Sequence, residues 1–244
     1  MGSRPTKPLL CELHAHSTWS DGAFPLPALV DIYGRSGFDV LCVTDHVGRS
    51  EPEFHDPRWR IADEASFRDY LAEIDREAVR AWEAYELCLI PGLELTYDDE
   101  DPALAAHAVA VGLRTLVSMD GGLEQALADA RGHGAALIAA HPYSADAAAD
   151  NNRGTARWAT EGRALAHLVD RYELVNRRDV FPWVAEAGLP AVASGDFHRL
   201  EHLATWKTLL PCSPTETSVV AHLRSDRPAY LVDLAEPAGI QAAA

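Results

Sequence analysis

The chain has 244 residues, 48% of them hydrophobic, which suits one sizeable core and argues against disorder. Its 37 acidic and 21 basic residues leave a formal charge of −16, which excludes retention on long duplex nucleic acid or anionic membranes by the overall field. No apolar run is long enough to span a bilayer, and MGSRPTKPLL lacks the apolar stretch and cleavage site of a signal peptide, so a cytoplasmic location is expected.

In chain order, strand-like runs alternate with helix-like ones. LLCELHAH (9–16) reads as a strand, ALVDIYGRSG (28–37) as a helix and DVLCVTDH (39–46) as a second strand. A polar, proline-broken loop (48–66) leads into the helix SFRDYLAEIDREAVRAWEAY (66–85). The strands LCLIPGLELTY (87–97) and HAVAVGL (107–113) follow, then the helix GGLEQALADARGHG (121–134) and the strand ALIAAHP (136–142). After a second polar loop (144–157) come the helix RALAHLVDRY (163–172), the strand YELVN (172–176) and the helix FPWVAEAG (181–188). The strands AVASGDFH (191–198) and TWKTLLPC (205–212) precede a last helix in SPTETSVVAHLRSD, with Ser213 as its expected N-cap and Glu216 completing a capping box. This alternation implies βα units, a mainly parallel sheet and a single domain over 1–244. Cys11, Cys42, Cys88 and Cys212 form no CxxC and lie in or beside apolar segments, as reduced core thiols do.

Polar chemistry gathers where the strand-like runs end: His14 and His16, Asp45 and His46, Glu94, His141, then Asp196 and His198. Parallel α/β folds place their sites at that end. Side chains two apart on a strand share a face, so His14 and His16 can converge on one cation, as can Asp196 and His198. Imidazole and carboxylate suit Zn²⁺, Mn²⁺ or Fe²⁺. A lone histidine such as His55, His133, His167, His202 or His222 reads as a surface residue. Asp45 and His46 are adjacent, so a regular strand would part them; His46 is read as a ligand and Asp45 as a residue orienting an imidazole or a water. Glu12, on the His14 face by count, reads either as a buried acceptor or as an ordinary strand-end carboxylate.

The set of ELHAHSTWSDG, VTDH, PGLELT followed by HAVAVGL, AAHP and SGDFH resembles the PHP (polymerase and histidinol phosphatase) superfamily over residues 9–199. The resemblance implies a distorted seven-stranded (β/α)7 barrel with two or three divalent metal ions (Mn, Fe or Zn) at its mouth. It assigns His14, His16, Glu94 and Asp196 to a first metal. Glu94 bridges to a second, completed by His107 and His141, and Asp21, His46 and His198 hold a third.

Clustered divalent ions lower the pKa of water from about 15.7 towards 7 and neutralise phosphoryl oxygens. The expected reaction is hydrolysis of small phosphomonoesters, histidinol-phosphate-like or nucleotide-like, by a hydroxide between two metals, with Glu94 and Asp45 as the catalytic carboxylates. Arg177, Arg178, Asn176, Arg49 and Arg199 follow strands or ligands and are candidate contacts to a small phosphorylated substrate. Nuclease-like members carry an inserted helical domain after the glutamate strand, where this chain has only LTYDDEDPALAA (95–106). A nuclease on short oligonucleotides is therefore the second reading, and a non-enzymatic metal-binding or regulatory module the third. The oligomeric state is left open.

Overall fold

The computed structural model describes residues 7–144, 146–147, 155–161 and 164–235. Eleven strands form one mixed, curled sheet: β1 (Leu9–Glu12), β2 (Val40–Val43), β3 (His46–Val47), β4 (Cys88–Tyr97), β5 (Ala106–Val111), β6 (Ala136–Ala140), β7 (Arg171–Asn176), β8 (Asp179–Val180), β9 (Ala191–Ser194), β10 (Trp206–Leu210) and β11 (Tyr230–Asp233). The main path runs β11-β10-β1-β2-β4-β5-β6-β7-β8, with β3 beside β4 and β9 beside β7. The two ends approach each other. Ala15 and Phe197 form a parallel bridge, and the Thr208 hydroxyl of β10 bonds both the amide and the carbonyl of Ala193 in β9.

The sheet is less parallel than the alternation of elements implies. Only residues 98–105 join β4 to β5, too few for a parallel crossover, so β5 runs antiparallel to β4 and also to β6. One consequence matters for the site. His107 opens its strand, yet the reversal puts it level with Thr96 and Ala140, at the end where its neighbours finish.

Alternation gives the sheet two apolar faces. Leu41, Val43, Leu89, Leu93 and Ala108 pack under α1 (Leu26–Arg35), α2 (Glu64–Tyr85) and α3 (Leu123–Gly132). Cys11, Leu13, Val40, Cys42, Ile90, Val109 and Ile138 fill the other face, against Val219 and Leu223 of a late helix. Helix α2 begins two residues before the expected Ser66, because Asp63 caps it and Ser66 completes a reciprocal box.

Three expected helices are corrected. In 163–172 the described residues hold only a 3-10 turn at Ala166–Leu168 before β7, while α4 (Arg157–Glu161) lies earlier. The helix in 181–188 is a single short piece, α5 (Pro182–Glu186). The last helix, α6 (Glu216–Leu223), is capped by Thr215, whose hydroxyl accepts from the Ser218 amide, and not by Ser213. Most of the expected loop at 144–157 lies outside the described residues.

Below the mouth, Glu12 and Lys207 form an ion pair at 3.1 Å with no exposed surface on either side chain. Glu12 also accepts from the Gly195 amide at 2.8 Å and the Tyr33 hydroxyl at 2.9 Å, and Lys207 donates to Thr205 Oγ1 at 2.8 Å. A side chain at residue 195 would collide with both charged groups, hence the glycine. Removing one partner leaves the other charged and buried, which costs about 3–5 kcal/mol. Lys207→Met should therefore lower unfolding free energy by about that much in urea titrations. The double variant Glu12→Gln/Lys207→Met should recover most of the loss.

Candidate metal centre

Glu94 is the hub. Its carboxylate is 1% exposed and faces five imidazoles. Oε2 lies 3.1 Å from His14 Nε2, 3.2 Å from His16 Nε2 and 3.1 Å from His46 Nδ1. Oε1 lies 3.0 Å from His107 Nδ1 and 3.0 Å from His141 Nε2. Parallel pairing of His46 with Glu94 in β3 and β4, and antiparallel pairing of Thr96 with His107, bring these residues level. Asp196 Oδ1 sits 3.4 Å from His16 Nε2 and 3.7 Å from His14 Nε2. Asp21 Oδ1 sits 3.1 Å from His198 Nε2 and 3.5 Å from His46 Nε2. Gly22 lets the chain turn Asp21 inward, since a Cβ there would strike the His16 carbonyl.

All nine residues expected as ligands are thus gathered at one mouth. Among the described residues three groups offer ligand atoms within 4.8 Å of one another: His14, His16 and Glu94; Glu94, His107 and His141; and His16, Asp21, His46 and His198. His16 enters the third group as well as the first, which spacing did not indicate.

The charges balance within this cluster. Burial raises the pKa of Glu94, but His46 and His14 outweigh it and hold the carboxyl well below its usual range; Asp196 behaves likewise beside His14 and His16. Burial disfavours protonated His14, yet Glu94, Asp196 and Glu173 lift it well above its ordinary value. Against the same penalty, Asp98 and Glu94 carry His107 to about 10, and Asp196 and Asp21 carry His198 to about 10. Burial wins at His46, held down at about 3. Among the described residues, buried His16 Nε2 and Asp21 Oδ1 have no hydrogen-bond partner of good geometry. Such donor atoms, converging in groups of imidazole and carboxylate, suit divalent cations, which would compete with the protons.

The supporting contacts were only partly foreseen. Glu173, unremarked within the apolar run YELVN, is fully buried. Its Oε1 faces His14 Nδ1 at 3.0 Å and accepts the Ser194 hydroxyl, while Oε2 accepts the His141 amide at 2.6 Å and Asn176 Nδ2 at 2.8 Å. Asp98 stands 2.9 Å from His107 Nε2, and Thr96 Oγ1 stands 2.8 Å from His46 Nδ1. A carboxylate in the middle of a buried apolar strand was the available signal for Glu173. Asp45 lies beneath the cluster, accepting from the Ser17 amide and hydroxyl and, at 2.6 Å, from Ser20; it meets His16 through Ser20. Glu12 is buried, but it serves the Lys207 pair.

Of the expected substrate contacts, Arg177 and Asn176 line the mouth cavity, which measures about 290 Å³. Asn176 is spent on Glu173. Arg177 donates to the Asp196 carbonyl at 3.0–3.1 Å and lies 2.9 Å from Asp196 Oδ2. The other three point elsewhere. Arg49 pairs with Glu51 and lies over the Phe54 ring, beside a separate hollow of about 430 Å³. Arg178 pairs with Asp233 and Arg199 with Glu201. His202 and His222, expected at the surface, are buried; His202 Nδ1 accepts the His198 amide at 3.1 Å.

No family model matches the chain. Among solved structures, it superposes on a two-domain protein from Bacteroides vulgatus containing a predicted PHP-like metal-dependent phosphoesterase, with a TM-score of 0.67 and 20% identity. The match covers 96% of this chain and 70% of that one. The chain has the PHP-like fold. A second match is a proposed metal-dependent phosphoesterase from Bifidobacterium adolescentis, with a TM-score of 0.50 and 16% identity over 80% of this chain and 90% of that one. Over 89 residues, 36% of this chain, the sequence is 30% identical to the DNA polymerase/3'-5' exonuclease PolX of Bacillus subtilis; the match spans 15% of that relative's length. No helix among the described residues is long and apolar enough to cross a membrane.

Because Glu173 fixes the His14 ring and the His141 backbone together, Glu173→Ala should weaken Mn²⁺ or Zn²⁺ uptake by about 10- to 100-fold. Equilibrium dialysis with metal analysis would measure this, and an unchanged affinity would refute the orienting role.

Proposed function

We propose that this chain is a metal-dependent phosphoesterase hydrolysing phosphomonoesters of small metabolites. The observation that carries the reading is the sharing of Glu94 among five imidazoles, with Asp21 and Asp196 flanking. In this reading His14, His16, Glu94 and Asp196 hold one divalent ion, Glu94, His107 and His141 a second, and Asp21, His46 and His198 a third. The curled eleven-stranded sheet is then a variant of the distorted barrel expected for the PHP superfamily. Bound ions would supply acidified water and positive charge against the phosphoryl oxygens.

The protein's own part is positional. Glu94 sets the spacing of two groups, because one carboxylate serves both. Glu173 fixes the His14 ring through Nδ1. Asp45 anchors Ser17 and Ser20, and so the turn that delivers Asp21. Arg177 braces Asp196 and His198 from one rim. In the overall reaction water adds to phosphorus and the bond to the leaving alcohol breaks, giving phosphate and the free alcohol.

The PolX likeness favours a second reading, cleavage of phosphodiesters in short oligonucleotides. A panel of phosphomonoesters, nucleotides and short oligonucleotides, assayed with protein loaded with Mn²⁺, Fe²⁺ or Zn²⁺, separates the two. The expected result is phosphate release from monoesters that stops on chelation and returns on metal addition. His14→Ala and Asp196→Ala should reduce it to background; full activity in either folded variant would refute the assignment. Metal uptake with silence across the panel would favour a binding module.

A further inference from the structure

We propose that Arg58 is the residue that grips the substrate's phosphoryl group, held over the Asp21–His46–His198 group by the strap of residues 55–60. The inference rests on the phosphoesterase reading and names a contact for its substrate. An anionic ester entering a cluster rich in carboxylates needs a cation that can be released to it. Among the described residues, two guanidiniums form ion pairs with the carboxylates assigned as ligands: Arg177 with Asp196 at 2.9 Å and Arg58 with Asp21 at 3.7 Å. Arg177 is committed, since its Nε and Nη2 hold the Asp196 carbonyl. Arg58 is held from one side only: Asp56 takes Nε and Nη2, while the side chain is 61% exposed and its 3.7 Å distance from Asp21 is beyond a hydrogen bond.

The strap that carries Arg58 is built. Asp56 accepts from Arg58 Nε at 3.0 Å and Nη2 at 2.5 Å, which orients the guanidinium. The next residue, Trp59, is 9% exposed and stacks on His46 with ring centroids 4.8 Å apart and planes 21° apart. Gly48 leaves room for that indole. The Arg60 amide bonds the Trp19 carbonyl at 2.9 Å and so ties the strap to the turn that carries Asp21. Among the described residues Trp59 Nε1, which is buried, has no hydrogen-bond partner, a donor left on the same strap. A cation at Asp21 would remove the carboxylate's pull on Arg58, and a phosphoryl group would take its place. The guanidinium edge that Asp56 leaves open, Nη1 with Nη2, fits two oxygens of a terminal phosphomonoester dianion.

The test measures inorganic phosphate binding to the metal-loaded full chain by calorimetry, with metal content determined for each protein. Arg58→Met should weaken phosphate binding about tenfold or more at unchanged metal content, and Arg58→Lys should recover part of the loss. Arg60→Met removes the same charge one residue beyond Trp59 and should change binding by less than about twofold. Equal phosphate affinity in Arg58→Met and wild type, an equal loss in Arg60→Met, or loss of metal from Arg58→Met would each overturn the assignment while leaving the phosphoesterase reading standing. Wild-type protein that takes up metal but neither binds phosphate nor hydrolyses any ester would overturn that reading, and this one with it.

Discussion

Everything at the mouth is organised by one constraint: a buried carboxylate cannot stay charged without partners. Glu94 meets it with imidazoles on both oxygens, from His14, His16 and His46 on one and His107 and His141 on the other. Those histidines come from four separate stretches of chain, so the fold must deliver them together before Glu94 is tolerable where it is. The same concentration of donors serves cations as readily as protons. The local charge balance and the proposed chemistry are two descriptions of one arrangement.

The fold meets this demand by departing from regularity where regularity would fail. A parallel β5 would carry His107 to the far end of the sheet. The short 98–105 connection forbids that and sets the histidine beside Glu94. Three residues at the mouth, His141, Arg177 and Asp196, adopt left-handed backbone angles (φ of 27°, 55° and 41°). Each costs about 1–3 kcal/mol and persists only where neighbours over-determine it. At Asp196 the neighbours are visible: Glu12 holds the preceding amide, Arg177 holds its carbonyl, and Phe197 bridges to both His14 and His16. The buried Glu12–Lys207 pair therefore stabilises the turn that presents Asp196 and His198, and not merely the core.

Much of this was legible in the sequence because it depends on local geometry. His14 with His16, and Asp196 with His198, are spaced two apart, and beyond the ends of β1 and β9 each pair flanks one residue of the Ala15–Phe197 bridge. Their association with Glu94, His107 and His141 came from the family resemblance, since nothing in a linear chain says which strands become neighbours. What was missed depends on tertiary context. Glu173 is one acid within YELVN, and only the fold brings its two oxygens to His14 and His141. Arginines next to ligands in sequence, Arg178 and Arg199, turned to nearby acids, because adjacency along a strand end does not decide direction. Arg58, 37 residues after Asp21 in the chain, comes within 3.7 Å of it on the strap whose Trp59 stacks on His46. The helix ends were misplaced for a simpler reason. Several Ser, Thr and Asp residues lie near each start, and packing selects Asp63 and Thr215 among them.

The acid excess of the chain poses a problem that the mouth resolves locally. A field of formal charge −16 repels phosphate esters at a distance and would slow their capture. Screening confines that repulsion to about 8 Å at physiological salt, so the last few ångströms decide binding. Within that range stand the imidazoles and carboxylates of the cluster, with Arg177 and Arg58 on its two rims. In the proposed enzyme, divalent ions held by these imidazoles and carboxylates would supply the local positive charge. A small ester needs only that pocket of favourable potential. A long polyanion must also lie across the acidic surface beyond it, and this asymmetry is the physical ground for placing small phosphomonoesters ahead of nucleic acid.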